Sequence, residues 1–600
     1  MRARRTLRDA ARSLPFIGAG IAALGSVLLF ATMLNDSFAL PKLLAVAVGA
    51  WLAWLGLCLG EEGALARTPL DQAAALFGTA AILAAAFSVD RPLSLLGRHY
   101  SYASGLLPWS ACAALFYGCV SLRRSPGGWT RLAVWCVGAG GLSSAYALLQ
   151  RAGLEPFALR DLVPQHFVAG ASGSPVNLGA CLAVLLPAGL HLSLSESGRT
   201  RTAARAASLL MLGALALTLS FSAYLGALAA CLTALFLSGR LPLRRPSRQS
   251  LQALALVSLA LFAALFMIWK VRPGIVSDPA RTHTWIAAGK AFLKRPLLGT
   301  GPDTLMLSFR RFRSEDTLRT LGDRRGYLSA QNDLIQALST LGLLGLAAYL
   351  WLQWRLWGAL RAASEEPALK GPASVAAGAF AGLFVQSKFG PPPLAALAIL
   401  SVWAAWVVPC HPVRLKADRI LRFSVLFFLS FILFVLLRLC AADRDYGLGV
   451  RAQLAGRLLE AERRFGRAFE LFPAEMQYGA SYNLSLLNRS QHAATPPQLS
   501  LELASEAVRV GRDSVRWHPR DPASSHMLGL SMLIESRLGG PSPLSEAAAV
   551  LDRAQELDPY FLPLVGTRHM IADIQGDTQT VQALAQRHAH IKALLSKSGS

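Results

Sequence analysis

Stretches of about 20 mostly apolar residues recur along this chain, each long enough to cross the hydrocarbon core of a bilayer as a helix. They lie near residues 15–34, 39–60, 70–88, 105–122, 130–150, 175–195, 204–220, 223–239, 250–270, 333–354, 372–388, 392–410 and 420–440. In lipid a helix satisfies its backbone polar groups within itself. About thirteen such runs therefore predict an all-α, polytopic membrane protein of 12–13 transmembrane helices, followed by a soluble helical domain. Composition agrees: 53% of the 600 residues are hydrophobic and only 16% charged, against about 25% charged in soluble domains.

The formal net charge is +24, but its distribution argues for membrane topology and against nucleic acid, since no soluble basic domain accompanies it. Arg and Lys gather at the N-terminus and in "SLRRSPGGWTR", "SESGRTRTAAR", "SGRLPLRRPSRQ" and "HPVRLKADRILR". The intervening short loops carry few. Positive residues remain cytoplasmic, which places the N-terminus inside. An odd number of spans then puts the long loop 271–332 and the tail 441–600 on the outer side. The first apolar run is long and no A-x-A-like site follows it, so it reads as a retained helix and not a cleaved leader. The eight cysteines show neither CxxC nor metal-type spacing, so neither a disulfide framework nor a zinc site is expected.

The tail repeats a spacing of Glu-Ala with Pro thirteen residues after the Glu: Glu460-Ala461…Pro473, Glu506-Ala507…Pro519 and Glu546-Ala547…Pro559. A small residue stands eight after each Glu, at Ala468, Ser514 and Ala554. The pattern resembles the second helix of tetratricopeptide repeats, where small residues permit close helix packing and Pro ends the unit. Such a domain would bind a protein partner.

The membrane spans hold almost no ionisable residues, which counts against a proton- or ion-coupled carrier. Gly299 and Gly301 of "LLGTGPDTL" lack the strand and third glycine of a nucleotide fingerprint and read as turn punctuation. Carboxylates in the outer loops of the membrane part are sparse, and the first outside loop holds no D-x-D pair, so no catalytic metal and no cofactor is expected. Cations are plentiful there: Arg281, Lys290, Lys294, Arg295, Arg310, Arg311, Arg313, Arg319, Arg324 and Arg325. Guanidinium groups hold phosphate through a planar, permanently charged fork. Arg281, Arg310, Arg311 and Arg313 are accordingly candidate binding residues for a lipid-linked diphosphate; the alternative is a loop resting on anionic headgroups of the membrane lipids.

Several stretches, taken in order, resemble the O-antigen ligase and polymerase family of bacterial membrane glycosyltransferases. They are "FALPKLLAVAVGAWL" (38–52), "FSVDRPLSLLGRHYSYASGLL" (87–107), "GASGSPVNLGACLAVLLPAGL" (170–190), "RTHTWIAAGKAFLKRPLLGTGPDTL" (281–305) and "AQNDLIQALSTLGLLG" (330–345). The resemblance covers residues 15–440 in order and, weakly, the tail; it makes 1–440 one transmembrane domain, with 271–332 as its long periplasmic loop, and some members carry a tetratricopeptide-like tail like 441–600. It implies a protein of the bacterial inner membrane with a cytoplasmic N-terminus and a periplasmic tail. It also implies metal-independent, inverting transfer of a glycan from an undecaprenyl-pyrophosphate carrier to a hydroxyl of a glycan, lipid or protein acceptor. Arg281, Trp285 and Asn332 are the substrate-binding positions carried over.

Two positions depart from the family pattern. Gln331 stands where a His is thought to act as base, and an amide takes up no proton at neutral pH. Phe221, in "SFSAY", stands where an Arg is usual. Catalysis would then rest on Gln331 as an orienting group with Asp333 or His283 as base, or on a transition state that needs no strong base. Otherwise the chain binds a lipid-linked glycan as an assembly scaffold, or moves lipid as a flippase.

Overall fold

The computed structural model describes residues 2–60, 65–124, 127–155, 157, 168–240, 278–323, 328–413 and 418–596. The span expected at 250–270, together with Arg324 and Arg325, lies outside the described residues. The membrane part comprises α1 Arg2–Leu28, α2 Ala39–Leu59, α3 Asp71–Ala86, α4 Arg91–Leu96, α5 Leu106–Cys119, α6 Gly128–Arg151, α7 Pro175–Ser195, α8 Gly198–Leu217 and α9 Phe221–Leu237. It continues with α10 Pro279–Lys294, α11 Leu305–Phe312, α12 Glu315–Leu321, α13 Asp333–Glu365, α14 Lys370–Gln386, α15 Leu394–Val407 and α16 Asp418–Leu454. The tail follows as α17 Leu458–Leu471, α18 Met476–Ser490, α19 Pro497–Trp517, α20 Pro522–Arg537, α21 Leu544–Leu557, α22 Leu562–Ile574 and α23 Thr578–Ser596. Among the described residues the strands are a single three-residue pair, Leu65–Arg67 against His411–Val413, so the all-α polytopic class holds.

Six described helices are long and apolar enough to span a bilayer: α1, α2, α6, α7, α13 and α16. The helices α3, α5, α9 and α15 are apolar but shorter, and α8 and α14 pack among them. Small residues set these packings: α1 lies on α2 and α9 on α14, with Ala19, Ala22, Ala50, Ala230 and Ala379 all fully buried at the contacts.

The chain enters and leaves two faces. On one, Arg422 donates to the Leu57 carbonyl and Arg355 to that of Pro69. On the other, the Asp36 amide donates to Asp443, Arg281 reaches the Phe389 carbonyl, and His518 meets Asp90. The second face carries the tail. The sequence places the join at residue 440, but α16 runs through that point to Leu454, because Gly447 and Gly449 pack closely on Asn35 and Phe465 and do not break the helix. One buried apolar cluster continues from the membrane helices through Tyr446 and Phe465 into α19.

In the tail, α17, α19 and α21 each end two residues before Pro473, Pro519 and Pro559. The small residues Ala468, Ser514 and Ala554 are buried at matching positions. Each of these helices pairs with the next one, giving stacked helical hairpins.

The segment 295–303 is the keystone of the tail face. Helix α13 kinks at Gly342, whose φ is +69°. The kink releases the Ser339 and Thr340 carbonyls, which accept from the amides of Thr300 and Gly301 at 3.1 and 2.8 Å, while the Leu343 amide donates to the Pro296 carbonyl at 2.8 Å. Irregular backbone at this depth is tolerated because it pairs with other backbone. Gly299 lies so close to Thr340 that a Cβ would overlap its carbonyl. "Turn punctuation" thus understates Gly299, which lets a loop zip onto a broken helix. The Val89 amide then donates to the Thr300 carbonyl (2.9 Å), the Ser94 hydroxyl to the Pro302 carbonyl (2.9 Å) and the Arg98 amide to Asp303 Oδ2 (2.6 Å), fixing the 87–98 loop above.

Candidate functional site

The stretch 329–333 ends at the first turn of α13. Asn332 caps that helix: its Oδ1 accepts from the amides of Leu334 and Ile335 at 3.0 and 3.1 Å. Its Nδ2 donates to the Lys388 carbonyl at 3.2 Å. Asn332 is therefore spent on its helix and on the turn 387–390, which joins α14 to α15. Gln331 precedes it with φ +53°, a conformation rare for a side-chain-bearing residue and found where surroundings over-determine it. Its amide donates to Ser329 Oγ at 3.0 Å.

Asp333 is held by three partners. Lys388 Nζ lies 2.7 Å from both carboxylate oxygens, and Oδ2 also accepts from Tyr349 Oη at 2.7 Å and Ser387 Oγ at 3.0 Å. Lys388 also stands over the Phe384 ring, 3.9 Å from its centroid. Sequence reading passed over Lys388; the signal was a lone cation closing an apolar run and followed by "FGPPP".

Beneath this turn lies a cavity of about 390 Å³ between α3, α5, α13, α14 and α15. Its walls are apolar, with Phe77, Trp109, Leu341 and Leu383 among them, and its tail-face end carries Asp303, Ser329, Gln331, Asn332, Asp333 and Ser387. Burial raises the Asp303 carboxyl above its usual range, against the charge and amide of Arg98.

Arg281 sits on the first turn of α10, where Asp278 caps the helix. It donates through Nη2 to the Phe389 carbonyl at 3.3 Å. Its Nε is buried and has no partner among the described residues. Gln386, fully buried just before the turn, likewise has both amide atoms unpartnered. Phe221 packs edge-on against Phe389, ring centroids 5.6 Å apart. The three positions 221, 281 and 331 thus gather around one turn, 387–390. Trp285 is tied in by its Nε1 to the Ala330 carbonyl at 2.7 Å.

The remaining predicted residues are elsewhere. His283 Nδ1 lies 3.1 Å from Thr317 Oγ1 of α12 and faces that helix. Arg313 is buried, donating to Asp558 of the tail through Nε (3.1 Å) and Nη2 (2.8 Å) and pairing with Asp323 at 3.0 Å. Arg310 pairs with Asp521 of the tail at 3.7 Å, and Arg311 is exposed above the Phe312 ring. Arg310 and Arg313 serve in this arrangement to fasten the tail.

A family model described as O-Antigen ligase matches residues 206–350. The matching family is that of the O-antigen ligases. The match covers less than half of the chain, yet it includes Phe221, Arg281 and Gln331, the positions that the fold draws to one turn. No curated protein matches the chain. The O-antigen-ligase match and the spanning helices together point to a multi-pass membrane protein of surface-glycan assembly. They also point to a lipid-linked glycan as its kind of substrate, and to glycosyl transfer as the activity of the family matched.

Proposed function

We propose that the chain transfers a glycan from a polyprenyl-diphosphate carrier to an acceptor hydroxyl at the tail face, and that this face is periplasmic. The observation that carries the reading is Arg281: a guanidinium anchored at one nitrogen, with a buried Nε that has no partner among the described residues, beside the turn that closes the cavity. A fixed cation in such a place stabilises a leaving diphosphate without needing a metal. The apolar cavity below suits the carrier's hydrocarbon end, and the polar rim at Gln331 and Ser329 suits hydroxyl-rich sugar.

Asp333 is the carboxylate best placed to receive the acceptor proton, with Lys388, Tyr349 and Ser387 orienting it; Gln331 orients hydroxyls. The proton then leaves through the Asp333–Lys388 pair, and attack on the anomeric carbon opposite the diphosphate inverts its configuration. The tetratricopeptide-like tail would receive a protein partner or the acceptor.

A second reading is favoured by the same residues' other face: Asp333 is already fully hydrogen-bonded, and Gln331 takes no proton. The protein would then hold the lipid-linked glycan without transferring it. The test uses purified full-length protein, a polyprenyl-diphosphate-linked glycan and an acceptor glycolipid, with chelator present. Transfer that falls at least about 100-fold in Arg281→Ala, with partial recovery in Arg281→Lys, supports the first reading. Tight donor binding with no product in the native protein supports the second. Full transfer by Arg281→Ala would remove Arg281 from the mechanism.

A further inference from the structure

Four arginines from separate elements meet where the tail lies on the 87–91 turn. Arg295, at the end of α10, donates to the Phe87 carbonyl at 2.8 Å. His518 bonds Asp90 at 2.8 Å and so lays the tail turn 518–521, with Arg520, on that same 87–91 turn. Arg310 pairs with Asp521 at 3.7 Å, which brings its neighbour Arg311 to the same place. Helix α11 in turn packs on α21, which carries Arg553.

Among the described residues none of Arg295, Arg311, Arg520 and Arg553 has an ion pair, because the neighbouring carboxylates are taken. Asp90 is held by His518, Asp521 by Arg310, Asp552 by Arg568 and Asp558 by Arg313. Partial burial, and then the charges of Arg295, Arg311 and Arg553, lower the pKa of Arg520. Like charges gathered without counter-ions raise the free energy of the folded protein unless an anion joins them.

The ground beneath the cluster says which anion. Leu297 lies against Leu344 and Gly342, nine residues into α13, or roughly 14 Å along that helix. Around it Leu293, Leu297, Phe87 and Leu343 are 76%, 61%, 64% and 54% exposed. Exposed apolar side chains beside a cluster of guanidinium groups, with the half-exposed Trp517 next to His518, match the chemistry of a bilayer surface.

We infer that Arg295, Arg311, Arg520 and Arg553 together hold the phosphate headgroup of an anionic membrane lipid, whose chains lie on Leu293, Leu297, Phe87 and Leu343, and that this lipid pins the tail to the membrane. The site is separate from the turn 387–390 and does not depend on glycan transfer.

The test places full-length protein in nanodiscs of phosphatidylcholine doped with phosphatidylglycerol and counts retained lipid by native mass spectrometry. The variant R520Q/R553Q should retain phosphatidylglycerol about thirtyfold less well, the factor for two cations at a bilayer surface. The exposed tail pair R512Q/R516Q, with equal charge change, should retain it like the parent protein. Equal retention by all three proteins overturns the inference. So does a site that takes inorganic phosphate alone, or a polyprenyl diphosphate but not phosphatidylglycerol, read as hydrogen-exchange protection of 517–521. Protection by phosphatidylglycerol vesicles alone supports it.

Discussion

The pair Asp333–Lys388 separates a catalytic carboxylate from a structural one. Asp333 is 8% exposed and Lys388 19%, with the ammonium 2.7 Å from the carboxylate. Asp333→Asn keeps the shape but leaves the ammonium without its counter-ion. Breaking a buried pair by removing one partner costs about 3–5 kcal/mol. The lower end applies here, because Lys388 still reaches solvent and keeps the Phe384 ring below it. Removing both charges together, in Asp333→Asn/Lys388→Met, should bring stability back to within about 1 kcal/mol of the parent, since a neutral replacement of a buried pair is often tolerated. Activity should behave differently. A general base contributes about 10²–10⁴-fold, equal to roughly 3–5 kcal/mol of barrier, and the double variant has no base. The assay measures thermal unfolding in detergent alongside transfer from a lipid-linked donor. Stability restored without transfer assigns the proton to Asp333. If the double variant regains both, the carboxylate is only a strut for the turn 387–390, and the reasoning fails.

Other outcomes follow from the same geometry. Gly299→Ala places a methyl on the Thr340 carbonyl at a φ of +66°; it should cost more than about 2 kcal/mol and show as a sharp loss of monodisperse protein on gel filtration. Arg313→Leu strands Asp558, itself buried with its carboxyl raised by that burial, and should loosen the tail by about 3 kcal/mol, seen as faster hydrogen exchange in α21 and α22. Tail docking should weaken as pH rises. His99 faces Asp36, Asp443, Glu475, Asn35, Tyr100, Tyr102 and Tyr478, and His518 faces Asp90, Asp521 and Glu475. Burial lowers both rings' pKa, but the carboxylates outweigh it and both stand above 6.5. A raised histidine stabilises fully below 6.5, and that contribution is lost as pH climbs through the docked-state pKa. Exchange protection across 99–103 and 518–521 should therefore fall as pH rises above 6.5 through the raised docked-state pKa, and His518→Gln should flatten the part that depends on the tail.

The chain's class was legible because a bilayer demands about 20 apolar residues per helix and leaves little freedom in reading them. The Pro and small-residue marks of the tail were legible for a related reason: each does one steric task that the fold repeats at α17, α19 and α21. What sequence could not assign was the partner of each charge. Arg281, Arg310 and Arg313 look alike as letters on one basic loop. In space Arg313 is consumed by Asp558, 245 residues away, Arg310 leans on Asp521, and of these three Arg281 alone has a buried nitrogen without a partner among the described residues. Asp333 and His283 likewise read as equal candidates, yet one faces the cavity mouth and the other faces Thr317. Long-range pairing decides which side chains are free to act, and it depends on how the tail folds back over the membrane helices. That dependence links the two halves of the protein physically. Asp90 and Asp303 hold the 87–98 loop at the cavity rim, and Asp90 does so while bonded to His518 of the tail. A partner or headgroup that moved the tail would thus act directly on the loop that borders the candidate site. If so, His518→Gln should change the apparent affinity for donor more than the rate of transfer once donor is bound, whereas Asp333→Asn should do the reverse.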